Sequence, residues 1–173
     1  MNRSTEKRVL AIDPSTRGFG FAVLEGPDKL IDWGIKEARS GKNKNQQSLE
    51  LVQNLVLGYQ PNVIALEDYT TKRSRRCRRV RELISAIEKL AAKQKIRVCS
   101  VARSEVTLAF TSVGAVTKYQ TALAITQRFP ELAPRLPPVR KPWMPEDYRM
   151  PIFDAVALAV TFFEFKNKRK LAA

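Results

Sequence analysis

Short apolar runs separated by turn residues fill the first third of the chain, and helical stripes fill most of the rest. We predict five strands, at residues 9–12, 18–24, 30–35, 63–66 and 96–101. Glycine, proline and aspartate mark tight connections between the first three runs, so these strands are expected to form an antiparallel meander. The fourth run is apolar throughout, which predicts a central strand covered on both faces.

Helical spacing dominates after the meander. Apolar residues recur three and four positions apart, which predicts helices at residues 49–58, 80–91, 104–110, 117–128 and 151–165. We expect Ser104 to cap the third helix, and residues 40–47 and 130–145 to be loops because they are polar or rich in proline. The order of elements indicates an α/β fold in one domain, residues 1–173, with a basic tail from about 166 to 173.

The net charge of the chain limits the classes of binding partner that we expect. It carries 31 Lys and Arg against 17 Asp and Glu, a net charge of +14, and it has no histidine. This excess favours nucleic acid or an anionic membrane surface, although a basic surface that serves only solubility is an alternative. No apolar run reaches the roughly 18 residues of a membrane span, so we expect no membrane partner.

The rare residue types exclude several kinds of chemistry. Without histidine there is no histidine general base, and Cys77 and Cys99 lack metal-ligand spacing, so a structural zinc site is excluded. A polar N-terminus and two isolated cysteines favour a reduced, cytoplasmic location. Any hydrolysis must therefore use carboxylates, lysine, tyrosine or a metal ion.

Three acidic residues lie at the edges of apolar runs. Asp13 and Glu67 each end a run, and Asp154 begins one. A carboxylate beside buried apolar residues is costly unless a charge neutralises it. In a basic chain without histidine the expected neutraliser is a divalent cation, and carboxylate oxygens suit Mg²⁺. Each residue also has a structural alternative: a turn-forming aspartate, a strand-end glutamate, and an aspartate that interacts with a helix dipole.

A basic run follows the second acidic residue. We predict that it contacts nucleic acid through Lys72, Arg73, Arg75, Arg76, Arg78 and Arg79. These cations lie at the start of a predicted helix, where the dipole disfavours them, so phosphate binding is the favoured explanation and a solvated basic face is the alternative. Tyr69 precedes the run, and is expected either to stack on an unpaired base or to be a half-buried core residue.

Four segments resemble, in order, the motifs of RuvC-type Holliday-junction resolvases: residues 10–23, 64–67, 113–120 and 154–159. The first contains Asp13, followed by proline and, four residues after the aspartate, Arg17. The second ends in Glu67, the third places Lys118 at a helix start, and the fourth joins Asp154 to small and apolar residues. The motifs span nearly the whole chain, so their shared order makes the resemblance specific.

The resemblance implies a ribonuclease-H-like fold, with a five-stranded mixed sheet whose first three strands are antiparallel. It also implies a homodimer, branched DNA as substrate, and two Mg²⁺ ions per active site, for which Mn²⁺ can substitute. By resemblance, Asp13, Glu67 and Asp154 are catalytic metal ligands. Lys118 is catalytic and contacts DNA near the scissile phosphate, although a solvated helix residue is the alternative for it. Arg17 is expected to contact nucleic acid.

The chain departs from the family pattern at one position. The family usually has an acidic residue or histidine three positions before the last aspartate, where this chain has Pro151. Asp147 would share a face with Asp154 on a continuous helix, and Glu146 is beside it. Because proline normally starts a helix, the fourth ligand is expected from Asp147, from Glu146 or from water.

These observations together predict a metal-dependent endonuclease that resolves four-way DNA junctions by paired hydrolysis in DNA recombination and repair. One alternative is a related nuclease that acts on RNA or on other branched DNA. Another is a non-catalytic nucleic-acid-binding module of the same fold, for which Pro151 is the support in the sequence.

Overall fold

A mixed sheet forms the frame of the molecule. The computed structural model describes residues 6–70 and 77–166. Its strands are β1 (Arg8–Pro14), β2 (Gly18–Glu25), β3 (Leu30–Glu37), β4 (Val63–Glu67) and β5 (Arg97–Val101), in the order β3-β2-β1-β4-β5. The first three are antiparallel neighbours, whereas β1, β4 and β5 are parallel. The predicted meander and five-stranded mixed sheet are confirmed.

Helices cover both faces of this sheet. They are α1 (Lys44–Tyr59), α2 (Arg78–Lys93), α3 (Arg103–Thr111), α4 (Lys118–Arg128) and α5 (Met150–Thr161), and a π-helical turn at Phe162–Lys166 follows the last. None of the helices in the described ranges has both the length and the apolar character needed to cross a membrane. The basic tail beyond residue 166 lies outside the described residues.

Three local predictions were wrong. Helix α1 begins at Lys44, inside the segment expected to be a loop, and a 3-10 helix at Pro130–Arg135 interrupts the proline-rich loop. Proline is tolerated in the first turn of a helix, where its missing N–H is not needed. Ser104 does not cap α3, because the helix already begins at Arg103 and the Glu105 carboxylate accepts from the Ala102 N–H at 2.9 Å.

The sheet separates two apolar layers. Along β1, Leu10 and Ile12 pack with α1 and α2, whereas Val9 and Ala11 pack with α3, α4 and α5, as the alternation of a strand requires. The layer beside α5 has small side chains on the central strands, at Ala11, Ala22 and Ala65. This small-residue surface lets the apolar helix α5 lie close to the sheet.

Gly20 permits a close approach at the end of the sheet that carries Asp13. The two residues are opposite each other in the register of β1 and β2. A Cβ atom at Gly20 would overlap the backbone carbonyl of Pro151, in the first turn of α5. The lack of a side chain at residue 20 therefore sets how close the start of α5 comes to Asp13.

Candidate active site

Two carboxylates lie at the same end of neighbouring parallel strands. Ile12 of β1 is paired with Leu66 of β4, so the next residues, Asp13 and Glu67, lie side by side, with backbones about 4.8 Å apart. Asp13 lies two residues after Ala11, and Glu67 lies two residues after Ala65; both alanines face α5. Because side chains two residues apart on a strand point to the same face, both carboxylates lie on the α5 side of the sheet. Asp13 is only 3 % exposed, which places its carboxyl group in the interior of the site.

Lys118 is the first residue of α4, and a capping arrangement fixes its place. The Thr117 hydroxyl accepts from the Gln120 N–H at 3.1 Å, and the Gln120 side-chain oxygen accepts from the Thr117 N–H at 3.0 Å. These bonds satisfy backbone donors that a helix start leaves open. The Thr-Lys-x-Gln sequence therefore holds one particular cation at the start of a helix.

Lys118 joins two acidic residues from different parts of the chain. Its Nζ atom lies 2.9 Å from Asp154 Oδ2 and 2.8 Å from Glu146 Oε2. Burial acts to lower the pKa of Lys118, but Asp154 and Glu146 outweigh it and raise the pKa above its ordinary value of 10.5. Lys118 is therefore a cation at neutral pH, and it can stabilise negative charge but cannot accept a proton.

One pocket gathers the four residues predicted to be catalytic. Asp13, Glu67, Lys118 and Asp154 all line it. Its polar wall also includes Arg103, Thr107, Thr117 and Thr121. Arg103 was missed by the sequence analysis, since it starts α3 directly after β5 and belongs to no recognised motif. The pocket thus combines three carboxylates with two basic side chains, an arrangement suited to a phosphate and its counter-ions.

The donor chemistry of the pocket fits magnesium. Among the described residues, no three acidic, cysteine or histidine side chains lie close enough to hold one ion together. Mg²⁺ does not need such a cage, because it commonly binds one or two carboxylates together with waters and substrate phosphates. The adjacent carboxylates Asp13 and Glu67 match that incomplete ligand set, which a phosphate would complete.

Comparison with known proteins assigns the chain to a family. Residues 9–162 match the family model described as crossover junction endodeoxyribonuclease RuvC. The chain belongs to the RuvC family. A RuvC relative from Prochlorococcus marinus strain NATL1A is 26% identical over 160 residues, which cover 89% of this chain and 96% of the relative.

Solved structures of RuvC-type proteins share the fold. Thermus thermophilus RuvC superposes with a TM-score of 0.69 at 17% identity, covering 94% of this chain and 96% of that one. A yeast mitochondrial Holliday junction resolvase gives a TM-score of 0.62 at 15% identity, covering 96% and 83%. The likeness confirms the predicted RuvC-type fold, and the family match confirms the resemblance seen in the motifs.

In this RuvC-family chain, the two acidic residues that precede Pro151 differ in their relation to the pocket. Helix α5 begins at Met150, so no continuous helix joins Asp147 to Asp154. Both carboxylate oxygens of Asp147 accept from Arg149 at 2.8 Å, which lowers the pKa of Asp147, and Asp147 does not line the pocket. Glu146 instead reaches the pocket residue Lys118. Of the two candidates for the missing ligand, Glu146 is the one that the structure connects to the site.

Arg79 of the basic run is bound within the protein. Its guanidinium donates to the Asn45 side chain at 3.0 Å and to the Ser15 backbone carbonyl, while Asn45 donates to the Arg79 carbonyl at 3.1 Å. These bonds tie the starts of α1 and α2 to the turn that follows β1. The sequence predicted a phosphate contact here, and the structure adds a role in supporting the turn beside Asp13.

The other predicted DNA contacts have varied surroundings. Arg17 is exposed on the turn between β1 and β2, and Arg78 is exposed and pairs with Glu82 at 2.7 Å. Tyr69 is half-buried against the apolar layer of α1 and α2, as its structural alternative expects. Lys72, Arg73, Arg75 and Arg76 lie outside the described residues.

Proposed function

We propose that this RuvC-family protein is a divalent-metal-dependent endonuclease that cuts four-way DNA junctions at paired positions. The observation that carries the proposal is the pocket shared by Asp13, Glu67, Lys118 and Asp154, on a chain with net charge +14. Its relatives are named crossover junction endodeoxyribonucleases, and Thermus thermophilus RuvC has been solved in complex with a Holliday junction substrate. These names support the choice of substrate.

The pocket residues divide the chemistry between them. Asp13 and Glu67, with Asp154 across the pocket, would hold Mg²⁺ or Mn²⁺, two ions per site. When bound, the ions would supply a nucleophile from water at neutral pH and would stabilise the leaving oxygen. Lys118 is a fixed cation beside Asp154, so it offsets charge that develops on the attacked phosphate. Arg17 and the basic run of residues 72–79 would hold the DNA backbones.

We also propose that the active form is a homodimer. Paired cuts across a four-way junction need two sites related by a two-fold axis, and a symmetric dimer supplies them. Binding is expected to weaken steeply with salt, since phosphate contacts release counter-ions. A cytoplasmic location remains a prediction from the sequence.

The test is nicking of a synthetic four-way junction in Mg²⁺. We expect Asp13→Asn to reduce the cleavage rate by at least about 10³-fold, because it removes a metal ligand without changing side-chain volume. Asp28→Asn is the matched control, since it makes the same change on the exposed turn between β2 and β3. Equal nicking by wild type and Asp13→Asn would overturn the assignment of the site.

A second candidate function is junction binding without cleavage. It is favoured by one observation: the resemblance expects an acidic residue or histidine where this chain has Pro151, which supplies no ligand. Tight junction binding without nicking in either Mg²⁺ or Mn²⁺ would support it. Competition between junction, duplex and RNA in the same assay separates junction resolution from the related nuclease activities.

A further inference from the structure

The segment that leads into α5 exposes several large apolar side chains. Trp143 is 77% exposed and Tyr148 is 60% exposed, and Val139 and Met144 are also exposed. A soluble protein rarely leaves such a group of side chains uncovered unless a partner covers it. The segment, residues 139–149, lies outside the four motifs that resemble the RuvC family.

Cations accompany both aromatic rings. The Nζ atom of Lys141 lies 5.4 Å from the centroid of the Trp143 ring, and the Arg149 guanidinium lies 5.5 Å from that of Tyr148. Two hydrogen bonds to Asp147 hold Arg149 in place. Aromatic rings interleaved with basic side chains suit an unpaired strand, because bases stack on the rings and phosphates bind the cations.

The segment is tied to the active-site pocket. Glu146 lies within it and binds Lys118, which binds Asp154. Trp143 is three residues before Glu146 and Tyr148 is two residues after it. Since a chain spans at most about 3.6 Å per residue, the Cα atoms of the two aromatics lie within about 11 Å and 7 Å of that of Glu146. The two aromatic residues therefore lie on a chain segment that Glu146 anchors beside the pocket.

We propose that Trp143 and Tyr148, together with Lys141 and Arg149, bind unpaired nucleotides of the DNA strand next to the active-site pocket. The inference rests on the proposed function, and it adds a contact at the branch point, where bases are unstacked. A second copy of this chain fits the surface less well, because it would bring the same cations into contact on a protein of net charge +14. An unpaired strand has the complementary charge.

Trp143 provides its own reporter. The chain has two tryptophans, and the other is the half-buried Trp33 of β3. In the double variant Asp13→Asn, Trp33→Phe, the emission reports on Trp143 alone and the DNA stays intact. We expect quenching by a four-way junction and by single-stranded DNA, and little change with blunt duplex. Equal quenching by duplex would overturn the proposal, because it would indicate a general backbone contact.

Binding measurements on variants provide the second test. Trp143→Ala should weaken binding to the junction and to single-stranded DNA by about 5- to 150-fold, while Trp143→Phe keeps most of the affinity. Leu57→Ala, an exposed truncation on α1, is the control and should bind as wild type does. Wild-type affinity in Trp143→Ala would overturn the proposal, and so would a dimer that becomes a monomer, since the ring would then be a subunit contact.

The two proposals fail separately. Quenching of Trp143 by single-stranded DNA in a protein that never nicks junctions would support the strand contact and remove the nuclease function. Normal nicking by Trp143→Ala with unchanged affinity would remove the contact and leave the nuclease function standing.

Discussion

The two sides of the candidate active-site pocket are held together in different ways. Asp13 and Glu67 leave adjacent strands of one sheet, and Asp13 is almost completely buried. Lys118 and Asp154 come from two helices and meet through an ion pair in which Lys118 is 40% exposed and Asp154 is 24% exposed. The backbone ladder fixes the first side, whereas an ion pair between two helices joins the residues of the second.

This difference shows which side can respond to ligands. A hydrogen-bonded strand pair does not rearrange when an ion binds, but partly exposed ion pairs are weak, screened by salt, and open to competition from metal ions and phosphates. The strand side therefore acts as a fixed platform. The helix side, with Lys118 shared between Glu146 and Asp154, is the part that can change partners.

Replacing Lys118 should have the largest effect among changes on the side of the pocket that the ion pair joins. We expect Lys118→Met to lower the cleavage rate by about 10²- to 10³-fold, as loss of a charge that stabilises a transition state does. Lys93→Met makes the same change at the end of α2, on the opposite face of the sheet, and should cleave normally. Single-turnover nicking measures both, and equal rates would show that Lys118 has no catalytic part.

The raised pKa of Lys118 adds a pH test. A group whose pKa is higher in the folded protein stabilises it fully below the ordinary value of 10.5, and that contribution is lost as pH rises through the higher folded value. Wild type should therefore lose more stability than Lys118→Met between about pH 10 and pH 12. Urea unfolding at several pH values measures the difference, and parallel curves would contradict the ion-pair assignment.

Changing Gly20 tests whether the two sides must stay at a fixed distance. Gly20→Ala would drive a Cβ into the Pro151 carbonyl, so we expect a loss of about 1–3 kcal/mol and a lower cleavage rate. Gly58→Ala is the control, because a Cβ there meets no atom within 4 Å and its position in α1 favours alanine by about 0.5–1 kcal/mol. Thermal unfolding should move the two Tm values in opposite directions, and equal shifts would contradict the close approach.

Replacing Glu146 tests whether the division of Lys118 between Glu146 and Asp154 affects metal binding. With Glu146→Gln, Lys118 keeps Asp154 as its ionised partner, and it then competes more strongly with a metal ion there. We expect the Mg²⁺ concentration for half-maximal cleavage to rise by about 10-fold. Glu50→Gln, exposed on α1, should leave the Mg²⁺ titration unchanged. An unaltered titration in Glu146→Gln would show that the ion pair does not affect metal binding.

Replacing Asp147 should have the smallest effect on the protein. Its pKa is lowered by Arg149, so its contribution to stability is present above the ordinary value of 3.8 and lost as pH falls through the lower folded value. We expect Asp147→Asn to lose less than about 1 kcal/mol at pH 7, because the pair is partly exposed. Urea unfolding at pH 7 and pH 3 measures this, and a changed Mg²⁺ requirement would instead make Asp147 a ligand.

The residues of both sides were named from the sequence, but the contacts that join those of the charged side were not. Asp13 and Glu67 end apolar runs, and the ends of parallel strands meet wherever the sheet forms. The family motifs added Lys118. The bonds from Lys118 to Glu146 and from Arg79 to Ser15 join residues 28 and 64 positions apart. Such contacts depend on how packed helices settle on the sheet, and no local pattern encodes that.

The meeting of Gly20 with Pro151 has an evolutionary consequence. A Cβ at residue 20 would overlap the Pro151 carbonyl, which every amino acid has, and also the Pro151 Cβ. Replacing Pro151 would leave that carbonyl in place, whereas replacing Gly20 would force the start of α5 to move. We therefore expect residue 20 to remain glycine among close relatives, even where residue 151 differs.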